Sequence, residues 1–128
     1  MIFKRSKPGE RGAAAVEFAL ILPILLLLVL GLVEFSRVFN VQISLSNAAR
    51  EGARVMAIEN DPGLARSAAT AAAPSVNPSV AAGDITVNNC TATIKTVTMT
   101  INYDVDLLTG FFGETLPLTG TGVMLCGG

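Results

Sequence analysis

The chemistry open to this chain is narrow, and one carboxylate carries most of it. The sequence holds no histidine and two cysteines, so His-based metal sites and Ser/His or Cys/His nucleophilic pairs are ruled out. It offers no glycine-rich phosphate cradle, and two cysteines alone do not make a zinc site. Asp104 and Asp106 alternate onto one side of an apolar–polar run, where solvated positions opposite a buried face are a better reading than a cation pair. No catalytic residue, metal ligand or cofactor follows from any of these. Glu17 is different. In Arg11-Gly12-Ala13-Ala14-Ala15-Val16-Glu17-Phe18 a basic leader meets a long apolar run with one acidic side chain near its start. An acidic residue at the centre of a membrane-spanning helix costs about 2.5–3.5 kcal/mol, less toward the edge, so a carboxylate retained there points to a function.

Such a position requires a spanning element, and the sequence supplies one. From Ala13 to Val33 the chain is apolar apart from Glu17, about 21 residues that rise about 31 Å as a helix and match a hydrocarbon core. Lys4, Arg5, Lys7 and Arg11 crowd the leader. By the positive-inside rule they hold residues 1–12 in the cytoplasm and send everything after Val33 across the membrane. An ordinary secretory signal is the competing reading, but the run exits through Leu32-Val33-Glu34-Phe35, which lacks the small-residue pair such cleavage needs. A formal charge of -1, with the basic residues concentrated in the leader, argues against a nucleic-acid surface.

Beyond the span, Val38, Val41, Leu45, Ala48, Gly52 and Val55 recur at alternating spacings of three and four, the stripe of a helix packed along one face. One helix from Ala13 to about Glu59 is therefore expected, about 70 Å long, with an extracytoplasmic amphipathic part over 34–59. Ala48, Ala49, Gly52 and Ala53 form small-xxx-small pairs that allow close backbone approach. They either seat the head on the helix or contact another subunit. Asp61 and Pro62 suit the N-cap and first position of a second, alanine-rich helix running to about Ala73. A Pro/Ser/Asn-rich linker over about 74–83 follows. Val97, Met99, Ile101, Tyr103, Val105 and Leu107 alternate with polar residues, the pattern of a strand with one buried face. A preceding strand is expected from Ile85 to about Thr93 and a following one from Leu116 to Cys126, antiparallel because the connections are short. Pro117 favours an edge position for the last strand. Gly110 to Glu114 forms the turn between the last two strands, with Phe111 and Phe112 expected to cover one end of the core.

The fold class is thus α+β: a long N-terminal transmembrane helix, a short helix and a small antiparallel sheet of about three strands. Its parts are a leader over 1–12, the long helix over 13–59 and a small head over 60–128. A head of about 70 residues is marginal alone.

Gly12 followed by Glu17-Phe18 resembles the processing site of type IVb prepilins, a glycine with Glu and an aromatic at the fifth and sixth positions of the mature chain. Ala13 stands as the first mature residue. The resemblance continues through Leu20-Ile21-Leu22-Pro23 and Glu34-Phe35-Ser36-Arg37 to Asn47-Ala48-Ala49-Arg50-Glu51-Gly52-Ala53-Arg54, which is similar to the TadE-like family of pseudopilins in tight-adherence (Flp/Tad) pilus systems. It covers roughly the first 55 residues and implies a minor pilin or pseudopilin of such a pilus or of a related type II/IV-like secretion assembly, not an enzyme. It also implies residence in the bacterial inner membrane, trimming by a prepilin peptidase, and partnership with other pilins and the Tad assembly machinery. Glu17 and Phe18 are then assembly residues, with the Glu17 partner the amine of a neighbouring subunit; pairing with the mature amine of its own chain is the alternative. No nucleic acid and no small-molecule substrate is implied. A single-pass, membrane-anchored binding module that is never processed is the alternative, and its span needs no particular residue at position 17.

Cys90 and Cys126 both lie beyond the span, where an oxidising compartment permits a disulfide. Linking them closes a loop of about 37 residues, worth about 3–4 kcal/mol in the chain-entropy model. Two buried free thiols are the alternative.

Overall fold

The computed structural model describes residues 8–127 and divides at Phe35/Ser36 into two compact units. Helix α1, Pro8–Glu59, contributes to both. It starts earlier than expected from the apolar run at Ala13. Pro8 suits the first helical position, and Glu10 complements the dipole in the first turn. The leader cations Lys4, Arg5 and Lys7 lie outside the described residues.

In the second unit, α1 is followed by α2 (Pro62–Ala71), a single 3-10 turn (Ala82–Asp84), and strands β1 (Ile85–Val87), β2 (Thr96–Asp106) and β3 (Thr115–Leu125). The sheet has the order β1-β2-β3 and is antiparallel throughout, as expected. Asn60 breaks α1 by adopting φ 50°, a left-handed conformation that Asn tolerates better than most residues. Asp61 then caps α2, its Oδ1 accepting from the N–H groups of Gly63 (2.8 Å) and Leu64 (3.2 Å).

The core lies between one face of the sheet and the two helices. Val97, Met99, Ile101 and Val105 of β2 and Ile85 of β1 meet Val41, Leu45, Met56 and the small residues of α1, with Ala65 and Ala69 of α2. The opposite sheet face is polar, carrying Thr86, Thr98, Asn102, Thr119 and Thr121. β3 is an edge strand, and Pro117 opposes Asp104 on it without a donor to lose.

Two expectations fail in informative ways. β1 ends at Val87 rather than near Thr93, because Asn88 replaces the ladder with its side chain. Its Nδ2 donates to the Thr96 carbonyl (2.8 Å) and its Oδ1 accepts from the Thr98 N–H (2.6 Å). Phe111 and Phe112 do not cover the core. They stand 73% and 77% exposed on the β2–β3 loop, which Gly110 (φ 62°) and Gly113 (φ 112°) turn away from the sheet.

Candidate functional site

The first unit presents the sequence-predicted site on one helix. Gly12, Ala13, Glu17 and Phe18 are all exposed on α1. Ala13 and Glu17 are four residues apart, so they share a face one turn apart, separated by about 6 Å of rise. The Gly12–Ala13 peptide sits inside the helix, just over one turn from its start at Pro8, and a protease reaching it has to unwind that end. Glycine lowers the cost, being about 1 kcal/mol poorer than alanine as a helix former. Large apolar side chains from Val16 to Val33 are exposed along the helix, Phe18 at 63% and Leu20 at 69% among them. A water-soluble surface does not carry apolar area on that scale, and the helix is long and apolar enough to cross a membrane.

In the second unit, the small residues of α1 have a definite use. Ala48, Ala49, Gly52 and Ala53 are buried inside that unit. A Cβ built on Gly52 would overlap the Met99 side chain and approach the Ala69 Cβ to 2.9 Å, so α2 and β2 both close on this point. The counterpart lies on β3. A Cβ at Gly120 would come within 2.5 Å of the Leu45 carbonyl oxygen, and one at Gly122 would overlap the Ala49 carbonyl. The small residues of helix and strand thus bring the two backbones into contact. Sequence reading missed Gly120 and Gly122, although glycine at alternate strand positions is itself a signal of close backbone approach.

Polar ties fix the head part of α1, residues 36–59, against the sheet. Arg37 Nη1 donates to the Asp106 carbonyl (2.9 Å) and Gln42 Nε2 to the Thr119 carbonyl (2.9 Å), while the Gly127 N–H donates to the Ala57 carbonyl (3.0 Å). Cys90 and Cys126 form a disulfide across a sequence separation of 36, which removes the free-thiol alternative. Asn60, also missed as a tertiary contact, holds the Cys90 backbone at two points. Its Nδ2 donates to the Cys90 carbonyl (3.3 Å) and its Oδ1 accepts from the Cys90 N–H (2.9 Å). Tyr103 donates its hydroxyl to the Pro78 carbonyl (2.8 Å). Burial first, then the nearby Asp106 carboxylate, pushes its phenol above its ordinary pKa, against an opposite pull from Arg37. Asp104 and Asp106 are both exposed. Among the described residues, no group of three or more His, Cys, Asp or Glu side chains is placed to hold a metal ion.

Residues 12–54 match the family model described as TadE-like protein. The match opens on Gly12, takes in Glu17 and the exposed apolar helix, and closes at Arg54, just past the small residues that seat the head. It supports the resemblance over that segment. No curated protein and no solved structure matches the chain.

Proposed function

We propose that this chain is a minor pilin or pseudopilin of a tight-adherence pilus, anchored in the bacterial inner membrane with its leader in the cytoplasm and its head outside. The observation that carries the reading is the family match beginning at Gly12 on a helix whose apolar surface is interrupted by Glu17. A prepilin peptidase cuts between Gly12 and Ala13, leaving a free amine one helical turn from the Glu17 carboxylate. An opposite charge within a few ångströms offsets part of the cost of holding that carboxylate in a low-dielectric region. In an assembly the amine comes from a neighbouring subunit, so pairing rewards correct axial register among pilins. The disulfide supports placing the head on the oxidising side of the membrane, as the leader's positive charge does. The head distinguishes this subunit from short major pilins and suits a part that initiates or supports assembly.

Glu17→Leu tests the reading. The variant inserts at least as well as the parent, since it removes the group that is costly in lipid, but it fails to co-assemble with the pilus machinery. Membrane fractionation beside a piliation assay reads both effects. Normal piliation at normal protein level deprives Glu17 of this role.

A further inference from the structure

The β2–β3 loop carries an apolar tip that the core does not use. Leu108, Phe111 and Phe112 are 65%, 73% and 77% exposed, and the two rings lie 6.3 Å apart, tilted by 57°. The loop is nevertheless ordered by its own bonds. The Leu107 N–H donates to the Glu114 carbonyl (2.9 Å) and the Gly113 N–H to the Gly110 carbonyl (3.4 Å).

The position of this tip within the head unit is fixed by the contacts of β3 with α1. Thr119 meets Gln42, Gly120 meets Leu45, Gly122 meets Ala49 and Gly127 meets Ala57, so strand and helix advance together. Traced backward, β3 covers about 13 Å from Thr119 to Thr115 before the loop begins. The helix covers only about 9 Å from Gln42 to Ser36, where the unit starts. Arg37 joined to the Asp106 carbonyl at 2.9 Å fixes the same end. The tip therefore stands at or past the level of Ser36. The apolar run ends at Val33, three residues before Ser36, so the chain leaves a bilayer within about 10 Å of where the head begins.

We propose that Phe111 and Phe112, with Leu108, insert into the acyl boundary of the same membrane and give the head a second, shallow anchor. Aromatic rings at the level of the headgroups suit that region. The flanking charges argue that the contact is hydrophobic rather than electrostatic, since Asp106 and Glu114 border the loop and anionic lipid offers them nothing. The inference rests on the apolar run being a membrane span.

The full-length protein, reconstituted into vesicles of phosphatidylethanolamine and phosphatidylglycerol, provides the test. The chain has no tryptophan, so Phe112→Trp and Phe111→Trp each introduce a single reporter, and Leu125→Trp gives a control at the far end of β3. The replaced side chains are exposed, so the disulfide and the thermal transition stay as in the parent. Both tip reporters are expected to emit blue-shifted and to lose about half or more of their emission when the acyl chains are brominated, as shallow insertion requires. The Leu125→Trp reporter emits as a water-exposed indole and is not quenched. Unshifted, unquenched tip reporters in protein that floats with the vesicles overturn the proposal. Blue-shifted emission without bromolipid quenching assigns the tip to a protein partner or a second copy and overturns it equally. Protein that does not float overturns the membrane span itself, and this contact with it.

Discussion

Single side chains in this molecule act by what surrounds them rather than by reactivity. Glu17 is singled out as a carboxylate on a helix otherwise suited to lipid, and its proposed partner exists only after a peptide bond upstream is cut. Tyr103 shows the same dependence in the head. Burial and the Asp106 carboxylate raise its pKa, so the folded head keeps the phenolic proton to higher pH than the unfolded chain does. The stability this contributes is fully present below pH about 10, the ordinary phenol value, and is lost as pH rises through the raised folded value. The chain's one tyrosine makes the titration readable by tyrosinate absorbance. Urea unfolding of the head is expected to need less denaturant above that pH. Tyr103→Phe should flatten this alkaline limb while costing about 1 kcal/mol at neutral pH for the lost bond to Pro78. An unchanged alkaline limb in the variant would show that another group governs it.

Helix α1 and strand β3 meet backbone to backbone at Gly120 and Gly122, and that is where the head is least forgiving. Gly122→Ala drives a methyl group into the Ala49 carbonyl of α1, a rigid neighbour with no rotamer to yield, and is expected to destabilise the head by about 3 kcal/mol. Gly52→Ala is expected to cost less, because the Met99 end can move, though Ala69 sets a limit. Equal urea midpoints for Gly122→Ala and the parent would contradict the backbone packing. The disulfide works at the opposite end, where Asn60, Cys90 and Cys126 tie the α1–α2 corner to the last residues of the sheet. Replacing both cysteines by serine should lower stability by about 2–5 kcal/mol, measured as a fall in the urea midpoint. Thiol labelling of the parent should require reductant.

At the scale of the whole molecule, what was legible in the sequence is what local pattern controls. The alternation of β2 and the Asp61-Pro62 start of α2 reflect local chemistry, and both elements form where expected. The α1 stripe was only half legible. Val41, Leu45 and Ala48 are buried as the period demands, yet Val38 and Val55 are only partly so, while Ala49, Ala53 and Ala57 are fully enclosed. A single period describes one partner, and this helix has two, the sheet and α2. The early end of β1 was hidden because Asn88 closes it by bonding a strand distant in sequence. The apolarity of Phe111 and Phe112 alone points to the core, while the glycines beside them turn the loop outward. Gly12 and Glu17 stand out in the sequence because charge and apolar context are written there, whereas the partner proposed for Glu17 is not. The most direct test of the central claim is the N-terminal sequence and intact mass of the protein extracted from the membranes of its native host. Processing predicts a mature chain beginning Ala-Ala-Ala-Val-Glu-Phe at Ala13, with residues 1–12 gone. A chain that still begins at Met1 contradicts it.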